Sequence, residues 1–330
     1  MKNYQVYGIG AALVDTEIQV SDAELTAMGV EKGMMTLVDP ERRAELLAQL
    51  EDHLVYSQRA SGGSAGNTII AASYFGANTF FSGKVADDDN GRFYMQDMAR
   101  AGVGTAGDDF EPGITGKCLI LITPDAERSM NTFLGASESF SARELDFDAL
   151  AASDYLYIES YLVTSASGKA AAIAAREHAQ SNGTRVALSF SDPGIVAHFH
   201  DGIQEIMGGR LDLVFCNRDE ALNYAKTESL DTAIEALTKV CDEFVITLGA
   251  EGALVHDGKQ LHRIDGVRVD AVDTNGAGDM FAGAYLYGIT NGMTRLTAGR
   301  FASFAAARVV SQFGPRLKPA QHAELLGEFS

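Results

Sequence analysis

The residues with the clearest chemical potential are Asp273-Thr274-Asn275-Gly276-Ala277-Gly278-Asp279, which lead into the apolar run Met280-Phe281-Ala282-Gly283-Ala284-Tyr285. Two glycines around one alanine let backbone N–H groups approach a ligand with no Cβ in the way. The N–H groups of a helix's first turn lack internal partners and carry the positive end of its dipole. A glycine turn running into a helix is therefore an anion seat. Asp279 at its edge would bring a proton acceptor to that seat, the pairing needed to move a phosphoryl group onto a small-molecule hydroxyl. For the heptad alone, the alternative is a glycine-rich helix cap with no ligand.

Composition narrows the function class. The chain has 330 residues, 46% of them hydrophobic, with Lys+Arg 26 against Asp+Glu 45 and a formal charge of −19. Such a field repels phosphate polymers, so neither nucleic acid nor an anionic membrane surface is an expected partner. An anionic substrate needs local positive groups or a metal. Cys118, Cys216 and Cys241 are widely spaced, odd in number and outside any CxxC, as expected of reduced core thiols. No secretory leader pattern opens the sequence and no apolar run is long enough to span a bilayer, so a soluble cytoplasmic protein is expected.

The elements that must position this chemistry follow from the hydrophobic pattern. Val6–Val14 reads as a buried strand closed by Asp15. Residues 16–38 read as an excursion: a strand over Thr16–Val20, a short helix over Ser21–Gly29 and a strand over Met34–Val38. Asp39-Pro40 opens a helix expected to reach Tyr56. Ser61-Gly62-Gly63-Ser64-Ala65-Gly66-Asn67 is a second glycine cluster ahead of an apolar helix. Residues 116–123 and 128–134 form a hairpin candidate around Pro124–Glu127. From residue 150 strands and helices alternate regularly, ending in a helix over 295–311. This alternation predicts one α/β domain over 1–330, a doubly wound and mostly parallel sheet with helices on both faces. It carries a small β-sheet lid built from about 15–38 and 112–135. Ligands of such sheets bind beyond the carboxyl ends of the strands, where Asp15, Glu159, Asn217, Gly249 and Asp279 are all expected to fall.

Together these residues carry a resemblance. The chain resembles the ribokinase-like (PfkB) carbohydrate and nucleoside kinases over essentially its whole length. The likeness rests on Gly62-Gly63…Asn67, on Asn217-Arg218-Asp219-Glu220, on Thr247-Leu248-Gly249-Ala250-Glu251-Gly252 and on the heptad ending at Asp279. Residues 16–38 and Glu127-Arg128-Ser129-Met130 are most similar to the adenosine-kinase branch. The resemblance implies an ATP-dependent kinase acting on a primary hydroxyl of a sugar or nucleoside, with Asp279 as catalytic base and the N–H groups of Gly276, Ala277 and Gly278 as anion hole. It implies that Asp15, Gly63, Asn67 and Glu159, with Asp279, hold the acceptor. Asn217, Thr247, Gly249, Gly252 and Asn275 would lie along ATP, with Ala305–Gly314 on the adenine side. Asn217 and Glu220 would hold Mg²⁺ through water, and Asp273 would correspond to a monovalent-cation (K⁺) position. The lid would exclude water, and its sheet edge offers a surface for a homodimer as an alternative to a monomer.

Two departures bear on the acceptor. Ala11–Val14 stand where family members often place an asparagine before the first aspartate, and Asn275 stands where a small hydroxyl residue is common. Other candidate sites read as structural. His198 and His200 would diverge on a helix, Asp87–Asp89 suit a turn and a helix N-terminus, and Met28, Met34 and Met35 suit lid packing. A silent sugar or nucleotide sensor on this scaffold would be expected to lose the base, which is present. A dinucleotide-dependent dehydrogenase would need a glycine where Leu13 stands.

Overall fold

Apolar runs and helices settle into two sheets in the computed structural model, which describes residues 2–50, 58–107 and 110–329. The strands are β1 (Tyr4–Ile9), β2 (Leu13–Gln19), β3 (Met35–Leu37), β4 (Gln58–Gly62) and β5 (Thr79–Ser82). Then follow β6 (Gly104–Thr105), β7 (Gly116–Ile122), β8 (Arg128–Phe133), β9 (Ser153–Glu159) and β10 (Arg185–Ser189). The last four are β11 (Leu211–Asn217), β12 (Cys241–Thr247), β13 (Gly252–His256) and β14 (Leu261–Asp265).

The large sheet has the order β14-β13-β12-β11-β10-β9-β1-β5-β6. It is parallel from β6 to β12, and only β13 runs the other way, antiparallel to both β12 and β14. Helices cover both faces. One face packs around Ile69, Phe75, Phe215, Tyr285 and Phe301, the other around Leu156, Ala172, Leu188, Phe190 and Phe244. The strand order reverses between β1 and β9, and there a crevice opens past the strand ends.

The small sheet has the order β3-β8-β7-β2-β4. Alternation along β7 divides its faces. Leu119 and Leu121 pack with Leu25 and Leu46 under helices Asp22–Ala27 and Pro40–Gln49. Cys118 and Ile120 pack with Leu13 and Met130 on the opposite face, which looks into the crevice.

Several boundaries differ from the sequence expectation. The chain leaves the large sheet after Ile9, so Asp15 does not end the first strand; it lies inside β2 of the small sheet. The break falls at Gly10, where a Cβ would sit 2.5 Å from the Glu159 carboxyl carbon and 2.7 Å from the Ala65 methyl. The small sheet also takes a third segment, β4, paired antiparallel with β2. Gln-Arg-Ala-Ser-Gly has no apolar alternation to announce a strand. The helix opened by Asp39 is described to Gln49, and its expected continuation lies in part outside the described residues. Pro193–Met207 divides into two helices at Phe199, Ser229 caps Leu230–Val240, and a further helix, Pro319–Phe329, follows the one over Arg295–Val310. Among the described residues no helix is long and apolar enough to cross a membrane.

Candidate active site

Two buried helices bring the site together. Ser64–Tyr74 and Ala277–Thr290 cross so closely that a Cβ on Gly283 would lie 2.5 Å from the Thr68 carbonyl oxygen. Small residues permit that approach, and it sets the two helix N-termini beside each other. Asp279 stands in the first turn of the second helix. Its carboxylate accepts from Ser64 Oγ at 2.7 Å and from Asn67 Nδ2 at 3.1 Å. These donors fix where the carboxylate points. Burial raises the Asp279 pKa, while the bonds from Ser64 and Asn67 and the charges of Arg128 and Arg316 pull it back. The Asn67 bond also sets its amide orientation, because the reverse would turn an oxygen onto a carboxylate. That leaves Asn67 Oδ1 as a buried acceptor without a protein partner, at the wall of the cavity.

The turn before Asp279 is held from behind. Gly276 has φ +72°, and a Cβ there would be 2.1 Å from the Pro315 carbonyl oxygen. Asp273 accepts from Asn275 N at 2.8 Å and Gly314 N at 3.0 Å. Both of its oxygens therefore join backbone segments, which is the place the structure gives a residue expected near a monovalent cation. From the front, Arg128 of β8 donates to the Thr274 carbonyl at 2.6 Å and Asn275 Nδ2 donates to Glu17 of β2 at 2.8 Å. Burial raises the Glu17 carboxyl to about 7, helped by Asp273 and opposed by the Asn275 bond and Arg316.

A cavity of about 430 Å³ lies between the sheets, and Gly276, Ala277, Gly278 and Asp279 line it. Asp15, Gly63, Asn67 and Glu159 also line it, as do Asn217, Glu220, Thr247 and Asn275. Asp15 is 4% exposed, with its carboxyl packed on the Cα of Gly62. Burial pushes its pKa well up; Glu17 and Asp279 add to this and Arg316 opposes it. Arg316 is held by Ser61 at 3.1 Å and Asp97 at 2.9 Å. Gly249 and Gly252 do not line the cavity: they shape the link from β12 to β13, where Leu248 N donates to the Gly252 carbonyl at 2.8 Å. Ala305 is likewise buried in the core rather than on the cavity wall.

Glu159 and Glu220 are placed differently from Asp279. Glu159 is fully buried, and its two oxygens accept from Ala11 N at 2.6 Å and Ala65 N at 2.7 Å. It ties the end of β1 to the Gly62–Asn67 turn across the crevice. Burial raises it to about 7 against those two bonds. Asn217 and Glu220 form a capping box on helix Arg218–Ala225: Asn217 Oδ1 accepts from Glu220 N at 2.8 Å, and Glu220 accepts from Asn217 N and Nδ2 at 2.9 and 2.8 Å. Burial raises Glu220 to about 8, and Asp192 and Asp219 add to the rise. The carboxylates of Asp219 and Glu220 and the amide oxygen of Asn217 are hard donors, of the kind that suits a divalent cation that keeps most of its waters. Among the described residues no three His, Cys, Asp or Glu side chains converge closely enough to hold a metal unaided. His200 bonds the Tyr224 carbonyl at 3.2 Å, Asp88 caps helix Asp89–Arg100, and the three cysteines are free and buried.

Sequence reasoning about roles passed over Ser64, Arg128, Arg316 and Glu17. The signal for Arg128 was available: an anionic substrate in so acidic a chain needs a local cation, and Arg128 stands in the hairpin expected to cover the site. For Arg316 and Glu17 the sequence held no such signal.

Comparison with known proteins gives the family. Residues 34–322 match the profile of the pfkB family carbohydrate kinases. The structure of adenosine kinase from Sinorhizobium meliloti superposes with a TM-score of 0.92 at 35% identity, covering 99% of this chain and 100% of that one. A probable sugar kinase from Rhizobium etli superposes with a TM-score of 0.92 at 31% identity, covering 99% of each chain. The adenosine kinase of Schizophyllum commune is 27% identical over 96% of this chain and 98% of its own length. The chain belongs to the pfkB family of carbohydrate kinases, and is a sugar or nucleoside kinase that transfers a phosphoryl group to a hydroxyl.

Proposed function

We propose that the chain transfers the γ-phosphate of ATP to the primary hydroxyl of a nucleoside, with adenosine as the first candidate. The observation that carries the reaction is Asp279, held by Ser64 and Asn67 at the mouth of a helix whose first residues line the cavity. Asp279 takes the hydroxyl proton as the oxygen attacks, and burial makes it a better base than an exposed aspartate. The N–H groups at Gly276–Gly278 and the guanidinium of Arg128 receive the charge on the transferring phosphoryl group. Asp15 and the free Asn67 Oδ1 accept from sugar hydroxyls.

The acceptor class follows from the cavity wall. Asp15 projects from a small-sheet face that otherwise supplies a largely apolar wall of Leu13, Met35, Cys118, Ile120, Met130 and Leu134. A free pentose or hexose, polar all round, would leave hydroxyls against that wall; a base attached to ribose would bury an apolar face there. The adenosine kinases among the relatives support the same choice. Glu220 and Asn217 would hold Mg²⁺ through its waters, and the ion would supply further neutralisation of the ATP phosphates. The small sheet would act as a lid that keeps water from the γ-phosphate.

Transfer of labelled γ-phosphate from ATP to adenosine, inosine, ribose, fructose and ketodeoxy sugars, read by mass spectrometry, tests the acceptor. Turnover of adenosine above the free sugars is expected, and preference for a free sugar refutes the nucleoside assignment. Asp279→Asn should lower kcat by ~10³-fold or more while ATP still binds. Near-normal turnover in that variant refutes the mechanism and leaves a binding role.

A further inference from the structure

Strand β2 carries two carboxylates on one face, two residues apart. Asp15 lines the cavity, and Glu17 reaches the turn that binds the anion. Alternate residues of a strand are separated by about 7 Å and point the same way, so the strand works as a fixed spacer between the two groups. Glu17 Oε1 accepts from Asn275 Nδ2 at 2.8 Å, and Glu17 Oε2 lies beside Gly314, whose N–H holds Asp273 at 3.0 Å. Asn275 N donates in turn to Asp273 at 2.8 Å. Asn275 is thus gripped by its backbone from the large-sheet side and by its side chain from the small-sheet side. The next residue, Gly276, begins the anion-binding turn. Asn275 is itself buried, at 6% exposure, so its amide cannot exchange Glu17 for bulk water without moving the turn.

We infer that Glu17 is a positioning residue: through Asn275 it registers the anion-binding turn to the strand that seats the acceptor, so that the two halves of the site are set by one element. Glu17 touches neither reactant. Its contribution falls on the alignment of donors with the transferring group, which is felt in kcat, whereas the seating of the acceptor depends on Asp15 and Asn67. A misplacement of about 1 Å at such a site costs on the order of 10²-fold in rate. The inference rests on the kinase reading above.

The test compares Glu17→Met, which keeps the length and cannot accept a hydrogen bond, with Glu17→Gln, which keeps the accepting oxygen. Both are made in the full chain and assayed with ATP and whichever acceptor the wild-type protein phosphorylates. Glu17→Met is expected to lose ~30-fold or more in kcat with the acceptor KM within ~3-fold of wild type, and Glu17→Gln to recover most of that loss. Should Glu17→Met fail to fold, Glu17→Asp shortens the reach while keeping the charge, and the same fall in kcat is expected. Unchanged kcat in the folded Met or Asp variant overturns the inference alone, as does a Glu17→Gln variant no better than Glu17→Met. A wild-type protein that neither binds ATP by calorimetry nor phosphorylates any acceptor overturns the kinase reading, and this inference with it.

Discussion

The two glycine turns of this protein are built alike and end differently. Gly63 at φ +82° and Gly276 at φ +72° each precede a buried helix, and neither provides a side-chain cap. Each leaves backbone donors at a helix N-terminus with a need for negative charge. At the first turn the protein supplies the acceptor itself, because Glu159 reaches across from β9 to accept the Ala65 N–H. At the second turn Asp279 points away, to Ser64 and Asn67, the Ala277 N–H closes onto the Thr274 carbonyl at 3.3 Å, and Gly276, Ala277 and Gly278 line the cavity. What separates a structural turn from an anion site is therefore where the compensating carboxylate comes from. One turn is closed by its own chain, and the other opens on the cavity.

Adding one methyl group to each turn should break them in different ways. In Gly276→Ala the new Cβ meets the Pro315 carbonyl at 2.1 Å in a left-handed conformation, so the turn must move. A loss of ~10³-fold in kcat is expected, the scale of removing an oxyanion donor, with acceptor KM nearly unchanged. In Gly63→Ala the clash is with the Ala11 carbonyl, also at 2.1 Å, and the consequence falls on the seat shared by Asp15 and Asn67. There acceptor KM and thermal stability should suffer before kcat. Steady-state kinetics of the two variants check the contrast, and identical kinetic signatures would remove it.

Much of this was legible in the sequence because it is local. Alternation in residues 150–265 specifies the parallel sheet, Asn217 and Glu220 specify their own capping box, and Asp273–Asp279 specifies a glycine turn before a helix. What stayed hidden depends on distant residues meeting. Glu159 and Ala65 are 94 residues apart and Glu17 and Asn275 are 258 apart, so nothing along the chain says which carboxylate closes a turn and which faces a ligand. Strand β4 was hidden for another reason: its Gln-Arg-Ala-Ser-Gly pattern is polar, and β2 imposes the extended form on it.

The closed turn has a pH signature in stability. Glu159 is shifted from its ordinary 4.5 to about 7 by burial, opposed by the two N–H bonds. A carboxyl raised on folding holds its proton in the native state where the unfolded chain has already lost it. The stability it contributes is full below about 4.5, falls as pH rises towards 7 and is level above that. The fall should approach about 3 kcal/mol. Glu159→Gln cannot titrate, so its stability relative to wild type should improve across that window after a constant loss from the mismatched N–H bond. Urea unfolding of both proteins at several pH values between 4 and 8 measures the difference. Parallel curves would mean that Glu159 does not hold its proton in the native state over that window.

Arg128 is a cation that reaches the open turn. It lies at the start of β8 and donates to the Thr274 carbonyl at 2.6 Å, while Thr274 Oγ1 donates to the Ala126 carbonyl at 3.2 Å. The guanidinium therefore comes to the turn with the small sheet, and its charge already acts on Asp279. Arg128→Met should lower kcat by ~30-fold, less than the loss of the turn itself, because the N–H donors remain. Arg128→Lys keeps the charge but not the planar fork that grips a carbonyl while facing a phosphate, so a loss of ~5-fold is expected. Removing the cation also frees Asp279 from one of the influences holding its pKa down, so the acid limb of the kcat profile should move to higher pH in Arg128→Met and stay in place in Arg128→Lys. A limb that shifts equally in both variants would assign Arg128 to tethering the hairpin and not to charge.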